Sequence, residues 1–186
     1  MSLEMVKSRG YAEQLAGFIT RLDLDSVPPE VVDHAKYLFL DLLGAALAGI
    51  DTPEAKAALK AVTLMFPGDG DCTLWGTPKR SSANGAALFN GILAHARELD
   101  DFGGADHSGA VIVPALLAVA EAYPVVSGKT FLEAMIAGYD VARRVLESCG
   151  GYRPHNHGDG YHSTGTCGSF GAAASVAKAL GLGVQE

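Results

Sequence analysis

The chain has 186 residues, 48% of them hydrophobic and 19% charged, with a formal net charge of −7. A chain of this length and apolarity buries roughly 70% of its unfolded surface in one domain, which excludes an intrinsically disordered protein. The acidic balance argues against a general nucleic-acid binder, whose phosphate contacts need a basic surface.

The apolar periodicity is helical almost throughout. Tyr11–Leu22 is a first amphipathic segment. Ser26-Val27-Pro28-Pro29-Glu30 reads as a helix start, with Ser26 as cap and the prolines in the first turn. The helix that follows is predicted over Pro29–Ala48, its stripe formed by Val32, Ala35, Leu38, Phe39, Leu42 and Leu43, with Gly49 as its stop. A further helix is predicted over Pro53–Phe66, and Cys72–Thr77 is the one extended segment. Ser81 or Ser82 caps a helix over Ala83–Leu99, and a polar loop spans Asp101–Gly109. An apolar helix over Val111–Ala122 carries Pro114 in its first turn, and another runs from Ser127–Lys129 to about Cys149. Gly150–Gly160 is a polar loop, and Thr164–Leu182 is the final helix.

These segments predict an all-α domain of six or seven helices over residues 1–186, with no linker, repeat or low-complexity tract. Cys72, Cys149 and Cys167 form no CxxC pair, and MSLEMVKSRG lacks the apolar run of a signal peptide. The longest apolar stretches, Leu42–Ile50 and Ala110–Ala120, fall short of the roughly 20 residues that span a bilayer. A cytoplasmic protein with no membrane partner is the expectation.

Two loops concentrate the polar chemistry. The first, His95 to Gly109, sets Glu98, Asp100, Asp101 and Asp106 beside His95 and His107. Crowded carboxylates raise one another's pKa and a neighbouring imidazole can share the proton, an environment suited to acid–base work. The same residues also fit a solvated loop in which Asp100 and Asp101 end one helix and Asp106 or Ser108 starts the next. The second loop, His155 to Ser169, places His162 before a Ser/Thr/Gly-rich helix start, where open N–H groups and the helix dipole favour a carboxylate or phosphate. An ordinary Ser/Thr cap, with Gly165, Gly168 and Gly171 packing on a neighbour, accounts for it equally well. His155, His157 and His162 could supply three imidazoles, but no zinc spacing, EF-hand, phosphate loop or nucleophile elbow is present, so no metal is expected.

At these loops the sequence resembles the MmgE/PrpD family. The resemblance rests on Asn90-Gly91-Ile92-Leu93-Ala94-His95-Ala96-Arg97-Glu98-Leu99-Asp100-Asp101, with His107-Ser108-Gly109 and Val113-Pro114-Ala115, and on Gly160-Tyr161-His162-Ser163-Thr164-Gly165-Thr166-Cys167-Gly168-Ser169 with Ala177-Lys178-Ala179-Leu180-Gly181-Leu182. Asp41-Leu42-Leu43-Gly44 and Gly138-Tyr139-Asp140-Val141-Ala142 fit as well. The resemblance implies an all-helical domain, normally joined to a smaller α+β lid that this chain lacks, in a homodimer. It implies a cleft for small di- or tricarboxylates and no metal or organic cofactor. It carries Asp100, Asp101, His107 and His162 to active-site positions, and Glu98 to one where relatives often have Asp. Ser108 and Ser163 stand where proline is usual, and the loop from Asp101 to His107 is short.

The implied reaction is a dehydration of the 2-methylcitrate type, with decarboxylation or epimerisation on the same groups as the alternative, and a domain that only binds ligand or dimerises as a further one. Removing a hydrogen beside a carboxylate needs a base at the carbon, positive groups on the oxygens and a second proton donor. His162 and His107 suit proton transfer, and Asp100 or Asp101 suits orienting an imidazole. Thr164, Gly165, Thr166 and Glu98 are the expected substrate contacts. A substrate anion also needs local positive charge, for which Arg97, Arg143, Arg144, Arg153 and Lys178 are candidates.

Overall fold

The computed structural model describes residues 10–102, 106–151 and 162–186. Among them lie seven helices: α1 (Tyr11–Arg21), α2 (Pro29–Gly49), α3 (Pro53–Met65), α4 (Ala83–His95), α5 (Ser108–Ala122), α6 (Gly128–Ser148) and α7 (Ser163–Ala179). The all-α expectation is met. The extended segment shrinks to a two-residue strand, β1 (Cys72–Thr73), paired antiparallel with β2 (Arg80–Ser81).

Side-chain caps set most of the helix starts. Thr52 accepts from the Ala55 amide at 3.2 Å, Ser82 from Gly85 at 3.3 Å and Ser127 from Thr130 at 3.1 Å. Ser26 does not cap α2. It lies in a short 3₁₀ turn, Leu24–Ser26, and Pro28 precedes the first turn with no cap bond.

The core gathers around α5, which packs on α2, α4, α6 and α7. Ile112, Val113 and Leu116 on it are fully buried, and so are Leu42 of α2 and Met135 of α6, while Leu93 of α4 is almost so. Each such side chain contributes about 1.5–3 kcal/mol on leaving water. Asn90 of α4 clamps the hairpin, accepting from the Trp75 amide and donating to the Thr73 carbonyl, both at 2.9 Å.

Helix α7 reaches the core through small residues. A Cβ at Gly171 would stand 2.6 Å from the Gly138 carbonyl oxygen, and one at Gly138 would stand 2.9 Å from that of Gly171. The backbones of α6 and α7 therefore touch directly at this crossing. Gly168 likewise abuts Val111, whereas a Cβ at Gly165 would meet only the His162 ring, at 3.8 Å. The glycine triplet thus splits: its last two members pack, and its first faces the site.

Candidate active site

The helix predicted to reach Leu99 ends at His95. Ala96 to Leu99 are good helix formers, but the Glu98 amide bonds back to the His95 carbonyl and Glu98 takes a left-handed conformation, φ 49°. That conformation costs roughly 1 kcal/mol or more in a non-glycine residue. It reverses the chain, so that Asp100 returns beneath the end of α4. The Asp100 side chain is wholly buried, with Oδ1 2.8 Å from His95 Nδ1 and Oδ2 3.4 Å from His107 Nδ1. The two imidazole rings lie 4.5 Å apart, and Phe102 closes edge-on against His107 at 5.5 Å. His107 keeps 17% of its side chain accessible, so it is held yet reachable.

His107, not Asp106 or Ser108, precedes the first turn of α5. Asp106 before it is also left-handed, φ 71°, and is buried. Two bonds tie this corner to α7: Ser163 Oγ donates to Asp106 Oδ2 at 2.7 Å, and the His107 amide donates to Thr164 Oγ1 at 3.2 Å. The two polar loops, 57 residues apart in sequence, are thereby brought into contact. Ser163, at a position where proline was expected, supplies a hydroxyl that proline lacks.

His162 caps α7, its Nδ1 accepting from the Gly165 amide at 3.3 Å. This bond requires an unprotonated Nδ1, which places the proton of the neutral ring on Nε2. His162, Gly165 and Thr166 are exposed, whereas Thr164 is buried. The Thr166 amide already donates to the His162 carbonyl at 3.0 Å, so what Thr166 offers a ligand is its side chain. Glu98 is exposed on the turn after α4.

Asp101 is placed differently from Asp100. Tyr139 of α6 donates to its Oδ1 at 3.1 Å. A Cβ at Gly109 would fall 2.0 Å from that same oxygen and 2.8 Å from the Tyr139 hydroxyl, so only glycine admits the pair against the first turn of α5. Burial pushes the Asp101 carboxyl up to about 6; the Tyr139 bond opposes this and the Asp100 charge adds to it. Burial also raises the Tyr139 hydroxyl well above its ordinary range.

His95, Asp100 and His107 are also the one group among the described residues whose ligand atoms could gather on a cation, all within 4.8 Å. Tetrahedral ligands about 2.0–2.1 Å from a zinc ion stand about 3.3 Å from one another. The 2.8 Å between His95 and Asp100 is a hydrogen-bond distance instead. The set fits a proton-holding relay better than a metal cage. Of the other imidazole trio, His155 and His157 lie outside the described residues.

The expected cations are engaged elsewhere. Arg143 pairs with Glu147 and Arg144 with Asp140 along α6, Lys178 Nζ donates to the Leu22 carbonyl and Arg97 Nε to that of Ala48. Arg153 lies outside the described residues. The sequence reading gave no role to His95 or Tyr139. Both sit inside the quoted motifs, and the five-residue step from His95 to Asp100 is the one local sign of their pairing.

The sequence profile of the MmgE/PrpD N-terminal domain matches residues 13–186. The cis-aconitate decarboxylase-like protein oryM of Aspergillus oryzae is 36% identical over 181 residues, covering 93% of this chain and 37% of its own length. The cis-aconitate decarboxylase of Homo sapiens is 30% identical over 183 residues, covering 96% of this chain and 37% of its own. That of Aspergillus terreus is 28% identical over 179 residues, covering 93% and 36%. The chain spans little more than a third of the length of these relatives. Motifs, helical architecture and sequence likeness agree: the chain belongs to the MmgE/PrpD family and matches its N-terminal domain.

Proposed function

We propose that this domain carries acid–base groups of a lyase that acts on small di- or tricarboxylates without a metal or organic cofactor. The observation that carries the reading is the contact between the two loops. The Ser163–Asp106 and His107–Thr164 bonds set a held, reachable imidazole beside a helix start that bears a second one. In this reading His107 and His162 transfer protons and Asp100 orients His107. Asp101 stands behind them as a buried carboxyl that titrates near neutrality, at about 6. Thr164, Gly165 and Thr166 receive a substrate carboxylate at the positive end of α7, and Glu98 borders the cleft. The relatives named as cis-aconitate decarboxylases favour loss of carbon dioxide over loss of water. The carbon–carboxylate bond breaks, its electron pair stays on carbon, and an imidazole supplies the proton that replaces carbon dioxide. Dehydration of a 2-methylcitrate-type substrate would use the same groups, with the proton delivered to the departing hydroxyl.

A second reading, a domain that binds ligand without turnover, is favoured by one observation. The four described candidate cations bond to Glu147, Asp140 and the Ala48 and Leu22 carbonyls. We also propose a homodimer, on the apolar outer face of α2, where Tyr37, Leu40 and Leu47 are 62–69% exposed. A cytoplasmic setting accords with three free cysteines. No described helix is long and apolar enough to cross a membrane.

The test is proton NMR of the intact protein in D₂O with cis-aconitate, 2-methylcitrate, citrate and iminodisuccinate. Carbon dioxide release, water loss, or deuterium gain without net change separates decarboxylase, dehydratase and epimerase. His162→Ala is expected to lower kcat roughly 10²–10⁴-fold. A near-normal rate removes His162 from the chemistry. Binding of these acids with no conversion supports the second reading.

A further inference from the structure

The Asp100 carboxylate faces two imidazoles. One, His107, belongs to the proposed chemistry. The other, His95, ends α4 and makes the shorter contact, 2.8 Å against 3.4 Å. Asp100 Oδ2 and His107 Nδ1 are buried, have no completed hydrogen bond, and face each other across that 3.4 Å. The wholly buried carboxylate is therefore fixed by His95 and aimed at His107. If it were free to rotate, its second oxygen would lose His107, and the ring could turn over or change tautomer.

We propose that His95 is a positioning residue: its Nδ1–H anchors Asp100, which then keeps the His107 proton on Nδ1 and leaves Nε2 as the working nitrogen. The proposal rests on the reading of His107 as an acid–base group. The logic is that of any histidine whose one ring nitrogen is tied to a carboxylate so that the other does the work. The geometry supports each half. His95 donates from the nitrogen nearest its own backbone, so the anchor is as rigid as the end of α4. His107 Nε2 lies 3.9 Å from Asp106 Oδ1, beyond a hydrogen bond, and so is left to a ligand. Asp106 is meanwhile occupied by Ser163.

Two variants of nearly equal polarity separate positioning from bulk. Asparagine places an amide nitrogen where His95 has Nδ1; glutamine places it where His95 has Nε2. In the intact protein, His95→Gln is expected to lower kcat roughly 10- to 100-fold, the scale for removing an orienting partner, with KM changed far less. His95→Asn is expected to recover most of that loss. Histidine-selective ¹⁵N NMR supplies a readout that needs no turnover. His107 is expected as a single Nδ1–H tautomer in the wild type and in His95→Asn, and as a mixture in His95→Gln. Equal rates and tautomers in both variants would overturn the positioning role, as would equal losses with the His107 tautomer unchanged. If the wild-type protein converts no carboxylate, the proposed function fails. The tautomer comparison still decides whether His95 positions His107.

Discussion

Replacing Asp101 by asparagine should change stability in a way that depends on pH. The carboxyl is raised from an ordinary 3.8 to about 6, first because it is buried and then because Asp100 and Asp41 lie nearby. A raised carboxyl binds its proton more tightly folded than unfolded, so folding is favoured below the unfolded pKa, and that advantage is lost as pH rises through about 6. At about 1.4 kcal/mol per unit, the charged carboxylate weakens the fold by about 2–3 kcal/mol above neutrality. Asparagine copies the neutral acid in shape, keeps an oxygen for the Tyr139 hydroxyl and cannot ionise. Wild type and Asp101→Asn should therefore be nearly equal at about pH 3, below the unfolded pKa, and the variant more stable by about 2–3 kcal/mol at about pH 8.5. Urea unfolding at low protein concentration is the assay, because the sequence pI of 5.3 lies inside the titration. The double difference between the two proteins and the two pH values removes every other titrating group. A difference constant across this range would refute a buried, raised Asp101, and a variant progressively less stable as pH rises would reverse the sign of the argument.

Tyr139→Phe removes the side-chain hydrogen bond that holds this carboxyl down, so the inflection in the same stability profile should move above 6. Gly171→Ala forces a Cβ against the Gly138 carbonyl and should cost about 1–3 kcal/mol in urea, while Gly165→Ala, with open space, should cost well under 1 kcal/mol. Ser163→Ala leaves a buried Asp106 oxygen without its 2.7 Å donor and should destabilise by about 1–3 kcal/mol. The same change should raise KM for a carboxylate substrate, read by steady-state kinetics, because the tie between the two loops is halved.

The helices were legible because α2, α3 and α6 repeat their apolar residues at helical spacing and begin at a proline or at a Ser/Thr cap. The end of α4 was not. Ala96-Arg97-Glu98-Leu99 favours helix by propensity, and the reversal is imposed by Asp100 seeking His95, a preference that local composition does not express. The candidate site divides along the same line. His107, His162 and Asp100 stood out because unusual residue types crowded into short loops. The resemblance carried by the motifs named the same positions. Tyr139 on Asp101 and Ser163 on Asp106 could not be read, since partners 38 and 57 residues apart meet only once α5, α6 and α7 have packed. His162 shows a third kind of limit. One sequence reading of that loop took Ser or Thr as the cap, and the histidine itself took the role.

Three acidic residues of the first loop, Asp100, Asp101 and Asp106, look alike in sequence and are made unlike by their partners. Asp100 faces two imidazoles, Asp101 is half-buried against a tyrosine, and Asp106 takes a serine hydroxyl. His95, Tyr139 and Ser163 each supply a hydrogen-bond donor, so each carboxylate is held without an arginine or lysine among these contacts. In the proposed function, that arrangement lets an acidic domain present a site to an anion. Its carboxylates are tied to histidine, tyrosine and serine, and toward the cleft stand the exposed His162, the Thr166 side chain at the positive end of α7 and the reachable edge of His107. A cation on Asp100 would satisfy it more strongly, but would also neutralise what, in the proposed reading, keeps His107 in one tautomer. Histidine, tyrosine and serine in its place suit the proposed site, which holds a proton at a chosen nitrogen.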